Sequence, residues 1–272
     1  MGTEHPHSRR LTGDEMERYQ AHLALPGFGP EGQARLMQAS VLLVGVGGLG
    51  CPAAQYLVAA GVGRLTLLDD DIVETTNLQR QVLYGDQDLG RPKVEAASER
   101  LGAMNGAVRL VAHRERLVAS NARAWVADHD LVVDGCDNFA TRYVLNDACA
   151  LEAVPLVSGS IYRYEGQVAL FDSPHTPCYR CLFPESPPAE TPCHDAGVLG
   201  ALAGMVGATM AAEAVQRLAN GAGALTGRML LVDAATMRFR SVALRRIVDC
   251  ALCGPSPSIH EPTAVAACAP TR

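Results

Sequence analysis

Two Cys-x2-Cys knuckles, Cys178-Tyr179-Arg180-Cys181 and Cys250-Ala251-Leu252-Cys253, stand far apart in a chain of 272 residues. A knuckle of this spacing lets two thiolates share one metal, and two knuckles complete a tetrahedral four-thiolate zinc site. Residues 182–249 separate them, which exceeds a zinc-finger loop, so the fold itself must bring the knuckles together. With no open coordination position, such a metal is structural rather than catalytic. The alternative is four unrelated thiols.

A second group of residues points to phosphate. Gly45-Val46-Gly47-Gly48-Leu49-Gly50 follows an aliphatic run and precedes an apolar stretch. Glycines there allow a tight turn and bring main-chain N–H groups against phosphate at a helix N-terminus. Asp69 follows at close to the ~20-residue interval expected of a ribose-binding carboxylate. A mononucleotide and a dinucleotide fit these glycines equally. Downstream come Asp69-Asp70-Asp71, Thr76-Asn77-Leu78-Gln79-Arg80-Gln81, Lys93 and Asp134-Gly135-Cys136-Asp137-Asn138. A hydride-transfer enzyme has no use for an arginine, a lysine and an extra acid near the phosphates. A triphosphate brought against a carboxylate needs cations, here Arg80, Lys93 and a divalent metal held by an acid such as Asp137. No Gly-x4-Gly-Lys-Ser/Thr occurs, which excludes a P-loop NTPase.

The elements that must hold these groups read as α/β. Val41–Val44, Arg64–Leu68 and Asp130–Asp134 are continuous apolar strands, with Val108–Ala112 alternating. Helices are predicted over 53–60, 91–104 and 141–151, so the sheet should be parallel and covered on both faces. From Pro155 the strands Leu156–Ser160, Gln167–Asp172, Met229–Asp233 and Ser241–Leu244 have fewer helices between them and read as an antiparallel continuation of the same sheet. Residues 1–40 form an N-terminal helical segment (12–21 and 31–38), 41–254 the single domain built with it, and 255–272 a Pro-, Ser- and Ala-rich tail expected to be disordered. The uncharged, Ala- and Gly-rich run Ala196–Ala212 reads as a buried helix rather than a membrane span.

Composition narrows the classes further. Forty-eight per cent apolar and 19% charged residues exclude collagen-like, coiled-coil and disordered chains. A net charge of −6 gives no global attraction for nucleic acid. Met1–Arg10 has no apolar core of the signal-peptide kind, so nine cysteines point to a reducing, cytoplasmic setting without a disulfide framework.

In this order and at these intervals, GVGGLG, DDD-x4-TNLQRQ, Lys93 in GRPK and DGCDN resemble the MoeB/ThiF/HesA family, bacterial relatives of the ubiquitin-activating enzymes. The resemblance covers roughly Asp14–Gly254. It implies a Rossmann-like fold and an ATP- and Mg2+-dependent adenylyltransferase acting on the C-terminal glycine carboxylate of a ubiquitin-like sulfur carrier ending in Gly-Gly, as a homodimer. It implies nucleotide contacts from Gly45, Gly47, Gly48, Asp69, Asp71, Thr76, Asn77, Leu78, Gln79, Arg80, Lys93, Asp137 and Asn138. Among these, Asp69 meets the ribose, Asn77, Arg80 and Lys93 the phosphates, and Asp137 the magnesium. Both knuckles match the family's structural Zn2+ site. Cys193, in an irregular proline-rich stretch beside His194, matches a cysteine that takes part in covalent capture or sulfur transfer in some members. Cys51, Cys136 and Cys149 read as core.

One position departs from the pattern. Where relatives carry Arg-Tyr-x-Arg, with the second arginine reaching the partner's triphosphate, Arg18-Tyr19-Gln20 is followed by Ala21 and His22. A non-catalytic carrier-binding module is therefore one alternative function, and an NAD-dependent oxidoreductase another.

Overall fold

The computed structural model describes residues 9–185 and 197–263. The chain enters through three short helices, α1 (Gly13–Arg18), α2 (Gln20–Leu23) and α3 (Gly29–Leu36). Thr12 caps α1 reciprocally with Glu15. Phe28 and Leu36 are buried in the main core, so this segment belongs to the body that follows.

Strands β1 (Ser40–Val44), β2 (Arg64–Leu68), β3 (Arg109–His113), β4 (Leu131–Asp134) and β5 (Leu156–Tyr162) run parallel. β6 (Glu165–Phe171), β7 (Arg228–Asp233) and β8 (Arg238–Ala243) continue the same sheet antiparallel. The spatial order is β3-β2-β1-β4-β5-β6-β7-β8. The β1 run does not alternate because both its faces are covered. Val41 and Leu43 enter one core cluster, while Leu42 and Val44 enter the other.

Crossover helices divide between the two faces. α4 (Gly50–Ala60) and α5 (Lys93–Met104) supply Leu57, Val58 and Leu101 to the first cluster. α6 (Ala119–Ala127) and α7 (Phe139–Glu152) supply Val126 and Leu145 to the second. The face changes where the chain leaves β3 and returns to lay β4 beside β1. Carboxyl ends therefore diverge between β1 and β4, the place where such sheets bind ligands.

The long helix Gly200–Asn220 covers the first face. A Cβ on Gly207 would stand 2.4 Å from the Leu49 carbonyl oxygen, so only a glycine lets this helix lie against the turn that opens α4. From Gly200 the apolar run is a core helix, and it continues to Asn220 instead of ending at 212. No helix among the described residues is long and apolar enough to cross a membrane.

The structure differs from the sequence expectations in three places. α6 has no counterpart among the sequence expectations, because Trp125 and Val126 are its only large apolar residues and set no helical period. Helix and strand ends shift by a few residues; β8, for example, spans Arg238–Ala243 rather than 241–244. The largest correction concerns the expected tail. Residues 255–263 are docked: Ile259 packs on the cysteine cluster, Thr263 N donates to Asp147 Oδ2 at 3.1 Å and Glu261 pairs with Arg123 at 2.9 Å. Composition predicts disorder there because it cannot see this tertiary acceptor. Residues 264–272 lie outside the described part of the chain.

Candidate functional site

A cavity of about 610 Å³ opens at the switch point between β1 and β4. Gly45, Gly47 and Gly48 form one wall and Asp69–Asp71 continue it from the end of β2. The turn is built by close backbone approach. Gly45 has φ 85°, and a Cβ on it would meet the Gly135 carbonyl oxygen at 2.8 Å. A Cβ on Gly50 would lie 2.0 Å from the Gly45 oxygen. Gly48 differs: its Cβ would find only side-chain atoms of Ala203 and Arg80, at 3.5–3.6 Å, which is ordinary contact. Gly45→Ala is therefore expected to cost at least ~2 kcal/mol of stability by urea unfolding. Gly48→Ala should leave stability unchanged, because the added methyl finds ordinary contact distances.

Side chains hold this turn from beneath. Asp69 accepts from Val46 N at 2.7 Å and from Asp71 N at 2.9 Å. Burial raises its carboxyl above the usual range, against the pull of Lys93 and these two N–H groups. The buried Tyr84 hydroxyl donates to the Val46 carbonyl at 2.8 Å, with the Lys93 carbonyl 3.3 Å away. One phenol thus ties the glycine turn to the start of α5. Lys93 is only 5% exposed, and its Nζ meets the solvent-facing Asp71 Oδ2 at 2.8 Å. Arg80 donates to the Thr76 carbonyl at 3.0 Å and projects into the cavity beside Gly48. Gln81, also in the lining, keeps a buried Oε1 with no donor, while its Nε2 binds Asn77 Oδ1.

The two acids of Asp134-Gly135-Cys136-Asp137 divide sharply. Asp134 is fully buried and accepts from Arg142 Nε at 3.1 Å, Ser158 Oγ at 2.7 Å and Cys136 N at 3.1 Å. Arg142 also donates to the carbonyls of Cys136 and Gly159, stitching β4 to β5. Asp137 is exposed at the cavity and among the described residues touches only Asn138 Nδ2, at 3.4 Å. Asn138 caps α7 through Thr141 N at 2.9 Å. The free carboxylate is Asp137; Asp134 is already saturated.

The knuckles meet. The Sγ atoms of Cys178, Cys181, Cys250 and Cys253 all lie within 4.8 Å of one another. Individual separations are 3.9 Å for Cys178–Cys181, 3.6 Å for Cys178–Cys250 and 3.4 Å for Cys181–Cys253. A tetrahedron with Zn–S near 2.3 Å has S···S edges of about 3.8 Å, so the cluster has the size of a zinc site; a disulfide would need about 2.05 Å. Burial and the neighbouring thiols push the Cys178 thiol up. Burial also raises Cys250, but the N–H groups of Cys253 and Leu252 outweigh it and bring that thiol down to about 7. A divalent cation is what allows four such sulfurs to ionise together.

A sequence profile described as ThiF family matches residues 19–252. The chain belongs to the ThiF family. It is 49% identical to a sulfur carrier protein adenylyltransferase of Thermus thermophilus, over 93% of this chain and 96% of the relative. It is 48% identical to the SAMP-activating enzyme E1 of Haloferax volcanii, over 90% and 91%. Adenylyltransferase and sulfurtransferase MOCS3 of Mus musculus is 48% identical over 92% of this chain, which spans 55% of that protein. Among solved structures, E. coli MccB with ATP superposes with a TM-score of 0.76 at 21% identity, covering 87% of this chain and 74% of that one, a likeness of fold.

The expected ThiF-family residues separate on the structure. Gly45, Gly47, Gly48, Asp69, Asp71, Arg80, Lys93, Asp137 and Asn138 line one cavity. Thr76, Asn77, Leu78 and Gln79 do not: Asn77 is buried against Gln81, Leu78 packs on the core, and the Gln79 carbonyl lies where a Cβ on Gly200 would stand. They shape the segment that delivers Arg80. Arg18 reaches the Met104 carbonyl and Ala21 is exposed; neither lines the cavity of its own chain. Cys51, Cys136 and Cys149 are buried, as expected. Cys193 and His194 lie outside the described residues. Sequence reasoning missed Gln81, Tyr84, Arg142 and Tyr179. Gln81 and Tyr179 stand inside motifs without a role of their own, and Tyr84 and Arg142 carry no local signal.

Proposed function

We propose that this chain is an ATP-dependent adenylyltransferase that activates the C-terminal glycine carboxylate of a small ubiquitin-like sulfur carrier, releasing pyrophosphate. The observation that carries the reading is the single cavity joining the glycine turn, Lys93, Arg80 and the unsaturated Asp137, in a chain aligned over 96% of a sulfur carrier protein adenylyltransferase. The donor set suits ATP: Gly48 leaves room at the turn, Gln81 Oε1 lacks a donor, and two cations face the lining.

A C-terminal carboxylate, with a pKa near ~3.5, is already ionised at neutral pH and attacks the α-phosphate without a general base. The protein's part is to bring two anions together and to receive the charge passing to pyrophosphate. Lys93 is held in place by Asp71, and Arg80 is steered by the Thr76 carbonyl. Asp137 would hold magnesium, which supplies further neutralisation of the triphosphate. The cysteine cluster would hold a structural zinc. The carrier ends in Gly-Gly, the enzyme acts as a homodimer in the cytoplasm, and Cys193 serves any later covalent capture. An oxidoreductase reading leaves Lys93, Arg80 and the thiolate cluster without a purpose.

With ATP, magnesium and a Gly-Gly-ending carrier, the protein is expected to exchange labelled pyrophosphate into ATP, since adenylation is reversible. Nucleotide and carrier binding without any exchange would identify a non-catalytic binding module instead.

A further inference from the structure

One hydroxyl at this cavity is buried with no acceptor for its proton among the described residues. Tyr179 lies between two ligand cysteines in the one-turn helix α8 (Tyr179–Leu182). Its main-chain N–H is fixed on Asn146 Oδ1 at 2.8 Å. Its ring meets Tyr143 edge-on at 5.3 Å and 84°, meets Phe171 at 6.1 Å and 88°, and leans on Phe183 at 5.0 Å. The ring therefore has one place to go. Yet the residue is 2% exposed, and among the described residues its hydroxyl proton has no acceptor: the Arg142 guanidinium beside it can only donate. Natural proteins seldom leave a buried hydroxyl unpaired, and phenylalanine would fill this aromatic nest without that penalty.

The side chain lines the nucleotide cavity, and its position there is specific. The neighbouring Arg142 guanidinium, 6.0 Å from the ring centre, bonds the carbonyls of Cys136 and Gly159, so this end sits over β4 and β5. Asp69 ends β2, three strands away in the order β2-β1-β4-β5. At ~4.8 Å per strand that is about 14 Å. A nucleotide with its ribose at Asp69 and its phosphates over the β1 turn reaches Asp137 after β4. What lies beyond, toward β5, is the second substrate. Charge agrees with this placement. Lys93 and Arg80 face the phosphate side, whereas Arg142 is neutralised by Asp134 at 3.1 Å. The β5 end is close to neutral and suits an uncharged acyl oxygen better than a polyphosphate.

We infer that the Tyr179 hydroxyl donates a hydrogen bond to the acyl oxygen of the substrate glycine once that glycine is joined to the nucleotide. The inference rests on the adenylation reading and assigns a substrate-binding residue to its carboxylate side. Because Tyr179 is flanked by Cys178 and Cys181, the four-cysteine cluster then does more than hold a loop. It sets the position of a group that touches the substrate.

The test uses the full-length protein and two stable analogues, sulfamoyl adenosine and the same nucleoside carrying an N-glycylglycyl group, whose acyl carbonyl stands for that of the adenylate. Binding is measured by calorimetry for the wild type and Tyr179→Phe. The variant should bind sulfamoyl adenosine and ATP as the wild type does, and the glycylglycyl analogue about tenfold more weakly. It should keep one zinc per chain and a melting temperature equal to or above that of the wild type. Unchanged affinity for the glycylglycyl analogue would overturn the inference, as would an equal loss for both analogues, which would put the hydroxyl on the nucleotide. Wild-type protein that binds neither analogue would overturn the adenylation reading itself, and with it this assignment.

Discussion

Asp137→Ala is expected to abolish carrier-dependent pyrophosphate exchange, by ~10³-fold or more, while leaving the protein as stable as before. The two halves of that expectation come from different observations. The carboxylate is exposed and among the described residues touches only Asn138 Nδ2, at 3.4 Å, so its removal leaves none of them buried and unsatisfied. It is also the only acid of Asp134-Gly135-Cys136-Asp137 with lone pairs to spare, because Asp134 is spent on Arg142, Ser158 and Cys136. Parallel assays on Asp134→Ala separate the roles. That change strands the buried Arg142 guanidinium, so it should lower stability by about 3–5 kcal/mol as well as activity. Near-wild-type exchange by Asp137→Ala would refute the magnesium assignment.

Cys250→Ser should produce the largest structural effect. Metal analysis is expected to fall from about one zinc per chain to near zero, with the melting temperature lower by about 10 °C, corresponding to ~3–5 kcal/mol. Removing one ligand leaves three thiols in a pocket where burial and mutual repulsion oppose ionisation. The damage should spread along a defined route. The first knuckle is bound to α7 through Tyr179 N on Asn146 and through the bidentate pair of Arg180 with Asp147, at 2.7 Å for each nitrogen. Thr263 closes on the same Asp147 carboxylate. Hydrogen exchange should therefore rise in 250–263 and along α7 before it rises in β1 or β2. Wild-type protein purified without chelators that contains no zinc would remove the assignment altogether.

Much of this could be read by going along the chain in order. Local patterns suffice where the physics is local. The glycine turn after β1 follows from strand, glycines and helix in succession. The parallel half of the sheet follows from strands apolar on both faces, and the knuckles follow from ligand spacing. The need for cations beside a triphosphate pointed to Arg80, Lys93 and Asp137, resemblance to a family with a specific motif set gave each a role, and all three line one cavity. What the chain order could not supply is anything that depends on which groups have already found partners. Asp134 and Asp137 are the same residue type three positions apart, and only burial beside Arg142 separates a structural acid from an available one. Thr76, Asn77, Leu78 and Gln79 share a motif with Arg80, yet they do not line that cavity: Leu78 packs on the core, Asn77 is buried against Gln81, Gln79 lies against Gly200 and Thr76 is exposed. Residues 255–263 look featureless until Asp147 and Arg123 offer them bonds from elements far away in the sequence. Tyr179 reads as a spacer between two cysteines. Only the three-dimensional packing shows that its ring is caged while its hydroxyl proton is left without an acceptor among the described residues, because hydrogen-bond satisfaction is a property of the folded neighbourhood and is written nowhere in a local window.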